Sequence, residues 1–127
     1  MKKMELQILA GEFSVCKLSH IDQIGQIDHT RDFTFFSKTD DELSLLCPSD
    51  CVPPDVTASE ANWKGLKIKG TLDFSMLGVI AKIAHVLKEA KISIFVVSTY
   101  NTDYIFLKAD KLSDGIQALT HSGYVIK

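Results

Sequence analysis

Six residues with acidic, basic or cationic side chains fall in the polar segment 19–32: His20, Asp22, Asp28, His29, Arg31 and Asp32. Together they could supply a general acid, a general base and a cation that binds an anion. Their order follows neither a two-histidine metal motif on a helix nor a nucleophile elbow. Charged side chains are common in surface connections, which is therefore the favoured interpretation. A small enzyme that uses this loop is the alternative.

A pair of cysteines could also do chemistry. Cys47 and Cys51 offer two thiols, but no second pair of ligands follows at a spacing that would complete a zinc site. Small, partly buried side chains near a turn are the favoured interpretation. With Cys16 they form an odd set, for which reduced thiols are expected. Neither a metal nor a cofactor is predicted.

Length and charge limit the class of protein. The chain has 127 residues, of which 46% are hydrophobic, enough for one compact domain or two very small ones. Its 14 basic and 16 acidic residues are spread out and give a net charge of −2, which argues against nucleic acid and anionic membranes as partners. No apolar run approaches the roughly 20 residues that span a bilayer, so a soluble, cytoplasmic protein is expected.

The N-terminal half is predicted to be rich in strands. The expected elements are strands 4–9 and 12–18 in a hairpin around Ala10-Gly11, a helical turn capped by Ser19, and strands 33–37 and 42–47 in a second hairpin. Residues 48–62 hold all three prolines and little periodicity, and are expected to connect two halves. A domain boundary near residue 60 follows.

The C-terminal half predicts six elements. They are strand 66–69, a helix capped by Asp73 or Ser75, strands 92–99 and 104–109, a helix capped by Asp110 or Ser113 and ended by Gly123, and strand 124–126. In the first helix Met76, Ile80, Ile83 and Leu87 recur at spacings of four, three and four, as one buried face requires. The order βαββαβ is that of the ferredoxin-like α+β fold, with both helices on one face of an antiparallel sheet.

The strand at 92–99 is expected at the edge of that sheet. It is long and apolar, and it contains neither charge nor proline. An uncovered edge of this kind is prone to pair with another chain. Pairing with the same strand of a second copy about a two-fold axis is the simplest way to cover it, and predicts a homodimer.

The run TLDFSMLGVIAKIAHVLKEAKISIFVVSTYNTDYIFLK resembles the ACT domain of small bacterial two-ACT-domain proteins. It is also similar to the ligand-binding halves of the cytosolic arginine sensors of animal cells. Shorter matches, VCKL and FFSKTDDELSLLCP, lie in the N-terminal half. The resemblance implies an ACT domain at 61–127, a smaller, incomplete ACT-like unit at 1–60, and a protein that binds an amino acid or similar small molecule without transforming it.

The chemistry of an amino acid suggests where it would bind. Its carboxylate needs backbone N–H groups, which the turn 73–78 before a helix can present, and its ammonium needs a carboxylate such as that of Asp103. The resemblance implies a ligand between two copies. One copy would contribute Met76, Ile80, Thr99, Tyr100 and Asp103, and its neighbour Ser93 and Ile94. Asp73 and Gly78 join the first group as the two ends of the turn that presents N–H groups. The arginine sensors have an acidic residue where Met76 stands, so a smaller or apolar ligand is as good a candidate as arginine.

Two further functions compete with ligand binding. A protein-interaction module without a ligand would need the same exposed strand. RNA-recognition domains share the βαββαβ order and stack bases on aromatic side chains, for which Tyr104 and Phe106 are suitably placed. The first strand has no aromatic residue, however, and the net charge is negative, so RNA binding is disfavoured.

Overall fold

The computed structural model describes residues 4–69 and 78–127. In these residues there are eight strands and two α-helices: β1 (Glu5–Ile8), β2 (Phe13–Leu18), β3 (Phe35–Lys38), β4 (Leu43–Pro48), β5 (Ala58–Ile68), α1 (Val79–Glu89), β6 (Ile94–Ser98), β7 (Asp103–Lys108), α2 (Leu112–His121) and β8 (Val125–Ile126). Short 3₁₀ helices occupy Ile21–Gln26, Ser49–Cys51 and Ala109–Lys111. The mixed α+β composition that the sequence predicted is confirmed.

The chain forms two compact units. The larger unit consists of Met1–Ala10 and Lys64–Lys127, and the smaller unit of Gly11–Trp63. Strand β5 contributes to both, because the division falls after Trp63 within it. The strand therefore starts well before residue 66, inside the segment predicted to be a plain connection. The assignment of family domains to 1–60 and 61–127 stays a prediction.

The larger unit has the predicted βαββαβ order in β5, α1, β6, β7, α2 and β8. Strand β5 is paired with β7. Its end is also paired, antiparallel, with β1, where Leu6 lies opposite Ile68. Strand β8 is parallel to β1. The N-terminal strand thus lies between β5 and β8, whereas the sequence predicted a strand at 124–126 without a neighbour for it.

The first predicted hairpin is wrong, although both of its strands exist. Strand β1 pairs with residues 66–68 of β5, and β2 pairs with residues 58–63 of the same strand and with β4. Gly11 does have the left-handed conformation of many turns, with φ of 77°. Alternating apolar residues on both sides of a glycine favoured local pairing, but each strand finds its partners elsewhere in the chain.

Both helices pack on one face of the larger unit. Ile83 and Leu87 of α1 and Leu119 of α2 are fully buried and share a core with the strands. The opposite side of α1, with Lys82, His85 and Glu89, is exposed. The two helices therefore cover the strand face that carries Leu6, Leu66, Ile68, Ile105 and Leu107.

The predicted starts of the helices need correction. Helix α1 begins at Val79 after Gly78, and the proposed caps Asp73 and Ser75 lie outside the described residues. Helix α2 follows directly from the 3₁₀ helix at Ala109–Lys111, so that Asp110 lies in that turn and Ser113 lies inside α2. Its predicted end is confirmed, since Gly123 has φ of 99° and the Tyr124 N–H donates to the Leu119 carbonyl at 3.0 Å.

In the smaller unit the second predicted hairpin is confirmed. Strands β3 and β4 are antiparallel, with Lys38 opposite Leu43. In the connecting turn the Thr39 hydroxyl donates to the Asp41 carboxylate and accepts from the Glu42 N–H. The segment 19–32 starts with the predicted helical turn, but His20 and not Ser19 precedes it. The buried Gln23 side chain accepts from the N–H groups of Ser19 and His20 and donates to the Asp55 carbonyl.

Gly65 provides a test of packing in the larger unit. A Cβ atom on Gly65 would lie 2.8 Å from both Leu9 Cδ1 and Phe106 Cε1. We expect Gly65→Ala to lower the free energy of unfolding by about 1–3 kcal/mol, because buried side chains must move to admit the methyl group. Urea denaturation measures the change. Gly25→Ala is the matched control, since no atom lies within 4 Å of its added Cβ. Equal stability of the two variants would contradict the packing described.

Candidate functional site

The loop between β6 and β7 and the first residue of β7 hold three of the predicted ligand residues. The N–H and the hydroxyl of Thr99 both donate to the Thr102 carbonyl, at 2.9 and 3.1 Å. The Tyr100 side chain is fully exposed. Asp103 is half-buried and lies opposite Ser98 at the start of β7. The loop therefore presents an aromatic ring and a carboxylate on a closed turn.

Thr102 fixes this loop to the rest of the larger unit, and the sequence did not single it out. Its side chain is 4% exposed, and its hydroxyl donates to the Ile68 carbonyl at 2.8 Å. Ile68 is the last residue of β5. A buried hydroxyl that has found a backbone acceptor is well stabilised. The loop with Thr99, Tyr100 and Asp103 is thus tied to the end of the central strand.

The start of α1 carries two further predicted residues. Gly78 is exposed, has φ of 79° and precedes the helix, and its carbonyl accepts from the Lys82 N–H at 2.9 Å. The first N–H groups of a helix have no partner within it, so this end can receive an anion. Ile80 is half-buried and packs against the core. The other two residues predicted near this turn, Asp73 and Met76, lie outside the described residues.

Strand β6 carries the residues predicted to serve a neighbouring copy. Ser93 is exposed just before the strand, and Ile94 is half-buried against the core. The strand pairs with β7 from Ile94 opposite Leu107 to Ser98 opposite Asp103. Among the described residues β6 has no second partner strand. The prediction of an edge strand is confirmed, with the bounds Ile94–Ser98 instead of 92–99.

The charged segment 19–32 lies in the smaller unit, away in sequence from these residues. Asp28 accepts from the N–H and hydroxyl of Thr30, which lowers the pKa of its carboxyl group. Arg31 forms an exposed ion pair with Asp50 at 3.0 Å, which lowers the pKa of Asp50 and raises that of Arg31. These contacts shape a surface turn and an exposed ion pair, as solvated loop residues do.

The three cysteines are free thiols in the smaller unit. Cys16 and Cys47 are buried, and Cys16 lies 3.7 Å from the Ser59 hydroxyl. Burial, with the neighbouring Cys16 thiol, raises the pKa of Cys47 to about 12, and burial also raises the pKa of Cys16. Both are therefore protonated at neutral pH, and a protonated thiol is a poor nucleophile. Cys51 is half-exposed at the end of the following 3₁₀ helix.

The aromatic residues considered for base stacking are buried. Phe106 is fully inaccessible and Tyr104 is 9% exposed. The ring of Phe106 stacks on Phe95 with centroids 5.2 Å apart, and the Lys67 ammonium lies 5.9 Å from the centre of the Tyr104 ring. Base recognition needs open ring faces, so this arrangement disfavours RNA binding further. In the described part of the chain no helix is long and apolar enough to cross a membrane.

Family comparison identifies the fold. The family model of the ACT domain matches residues 58–121, half of the chain, and a second model, of an N-terminal domain, matches residues 11–55. Among curated proteins no sequence matches.

Solved structures agree in fold. A protein from Agrobacterium tumefaciens is 28% identical, with a TM-score of 0.84 over 100% of this chain and 94% of its own. A Vibrio cholerae protein of unknown function, described as a possible transport protein, is 21% identical, with a TM-score of 0.73 over 96% of this chain and 88% of its own. The regulatory subunit of Thermus thermophilus aspartate kinase, in a ligand-free form, is 10% identical, with a TM-score of 0.62 over 93% of this chain and 95% of its own.

The raised pKa of Cys47 predicts an alkaline loss of stability. The folded chain keeps the thiol proton up to a pKa of about 12, whereas an unfolded thiol releases it near 9.0. The contribution of the protonated Cys47 thiol to the free energy of unfolding is therefore complete below about pH 9. It falls, by up to about 1.4 kcal/mol per pH unit, as the pH rises towards 12. Urea denaturation of the native chain and of Cys47→Ala should show a stability difference that shrinks above pH 9. The half-exposed Cys51→Ala is the control, with a smaller effect of pH. A difference for Cys47→Ala that stays constant with pH would contradict the prediction.

Proposed function

The chain belongs to the ACT domain family, and from that premise we propose that it is a non-catalytic regulatory protein that binds an amino acid or similar small ligand between two copies. The observation that carries the proposal is strand β6, which is apolar and has a partner strand on one side only among the described residues. A second copy paired along β6 would cover this edge of the sheet. The fold shared with the regulatory subunit of aspartate kinase supports a regulatory role.

The ligand would lie between the helix start of one copy and the edge strand of the other. The carboxylate would face the first N–H groups of α1 beside Gly78, and the ammonium would face Asp103. Thr99 and Tyr100 would border the ligand on the loop, and Ile80 on the helix. Ser93 and Ile94 would come from the second copy. Asp73 and Met76 lie outside the described residues. Asp73 stays in this proposal as part of the turn before α1, and Met76 stays in it on the family resemblance alone.

Two kinds of ligand side chain are compatible with the proposal. The resemblance to the arginine sensors suggests a guanidinium, for which Asp103 is a suitable acceptor. Met76 in place of an acidic residue favours a smaller or apolar side chain instead. The expected location is the cytoplasm.

A protein-interaction module without a ligand is the second candidate. The fully exposed ring of Tyr100 favours it, because tyrosine is enriched where proteins contact each other. A dimer that docks on a partner through this loop would need no small molecule. The two candidates differ in whether an amino acid stabilises the dimer.

Ligand binding predicts a thermal shift. A ligand that binds only the folded dimer stabilises it by RT ln(1 + [L]/Kd), about 2.7 kcal/mol at a hundred times Kd. For a domain of this size that corresponds to a rise in Tm of several degrees. The measurement is differential scanning fluorimetry with each of the twenty amino acids at one fixed protein concentration. If none of them shifts Tm, the chain is not an amino-acid sensor.

The interface on β6 predicts a monomeric variant. Val96 is 37% exposed in the single chain, and in the proposed dimer it would lie at the seam. We expect Val96→Asp to weaken the dimer by about 3 kcal/mol, more than a hundredfold in dissociation constant, because its carboxylate would be buried without a partner. Phe95→Asp should act in the same direction but would also lose the stacking on Phe106.

Sedimentation velocity over a range of concentrations measures this change. The matched control is Phe36→Asp, which places the same charge at a 39% exposed side chain on β3. That variant should sediment like the native chain. A dimer that survives Val96→Asp, or that dissociates equally with Phe36→Asp, would place the interface elsewhere.

A further inference from the structure

The hydroxyl of Thr102 connects two parts of the larger unit that are far apart in sequence. It donates at 2.8 Å to the carbonyl of Ile68, and the bond is buried. The Thr102 carbonyl accepts the N–H and hydroxyl of Thr99, which closes the loop. One residue therefore both closes the β6–β7 loop and fastens it to the end of β5.

One of the two connected parts, the β6–β7 loop, borders the proposed ligand site, and the other is the end of β5. The loop carries Tyr100 and, at its far end, Asp103. Ile68 ends the strand from which the chain continues towards Gly78 and the start of α1. A site of this kind binds well only when its groups are held at a fixed separation before the ligand arrives.

We infer that Thr102 is a positioning residue of the ligand site, whose hydroxyl sets the position of Asp103 and Thr99 relative to the end of β5. The inference rests on the proposed function. Thr102 is only 4% exposed and its hydroxyl donates to Ile68, so it is placed to act on the loop and not on the ligand itself. It acts through the loop. Because Thr99 directly follows β6, its two bonds to the Thr102 carbonyl join the end of the edge strand to the residue that precedes β7.

Two substitutions separate the hydrogen bond from the packing of the side chain. Thr102→Val keeps the shape and loses the donor, whereas Thr102→Ser keeps the donor and loses a methyl group. Without ligand, we expect the amide of Thr99 to exchange with solvent about tenfold faster in Thr102→Val, the factor that matches one hydrogen bond of ordinary strength. Thr102→Ser should exchange like the native chain. The amide of Leu87 in α1 reports global unfolding and serves as the internal control.

The amino-acid panel provides the second measurement. The shift in Tm that the native chain gives with an amino acid should be lost in Thr102→Val and retained in Thr102→Ser. A side chain that mattered only for packing would give the reverse pattern. Equal shifts in the native chain and Thr102→Val, or unchanged exchange at Thr99, would overturn the positioning role while leaving the proposed function intact. If no amino acid shifts the Tm of the native chain, the proposed function fails and the positioning role fails with it. The exchange experiment still decides whether the hydrogen bond from Thr102 to Ile68 holds the loop.

Discussion

The packing of Phe106 over Gly65 is the contact on which the larger unit depends. Gly65 has no side chain, and the Phe106 ring and Leu9 occupy the space that a Cβ would need. This close approach places Phe106 of β7 directly against Gly65 of the neighbouring strand β5. Phe95 then stacks on Phe106 at 5.2 Å and positions β6 outside β7. The neighbouring residues Leu66 and Ile68 point their side chains into the core that the helices cover. The same short segment of β5 therefore makes contacts on both faces of the sheet.

This arrangement changes how the apolar edge strand should be interpreted. From the sequence, every apolar residue of β6 counts as surface to be covered. In the structure Ile94 packs on the core, Phe95 stacks on Phe106, and Val97 is half-buried opposite Tyr104. Val96 is left 37% exposed. The case for a partner therefore rests less on hydrophobic area than on the backbone groups of an edge strand, and the association it supports is strand pairing instead of the burial of a large apolar patch.

The sequence predicted what short-range patterns encode and missed what depends on distant residues. The amphipathic period of α1 and the β-branched run in β6 gave the right elements, because each pattern is complete within one segment. The place of β1 beside β5 and β8 could not be predicted, since alternation tells which face a residue occupies and not which strand lies beside it. Ala10-Gly11 has the composition of a hairpin turn without being one. Thr102 gave no signal either, because a threonine in a turn is ordinary until its buried acceptor, the Ile68 carbonyl, is known.

The exposure of the proposed ligand residues links binding to association. In one copy Tyr100 is fully exposed, Gly78 and Ser93 lie at the surface, and Asp103 is only half-buried. A small zwitterion held by these groups alone would stay in contact with water, and a charge-assisted hydrogen bond in water contributes little. A second copy across β6 would exclude that water and so strengthen each contact. A ligand that needs both copies must favour the dimer by the same free energy with which the dimer favours the ligand. An interaction module without a ligand has no such reciprocity, so the dependence of ligand affinity on protein concentration distinguishes the two functions more sharply than either property by itself.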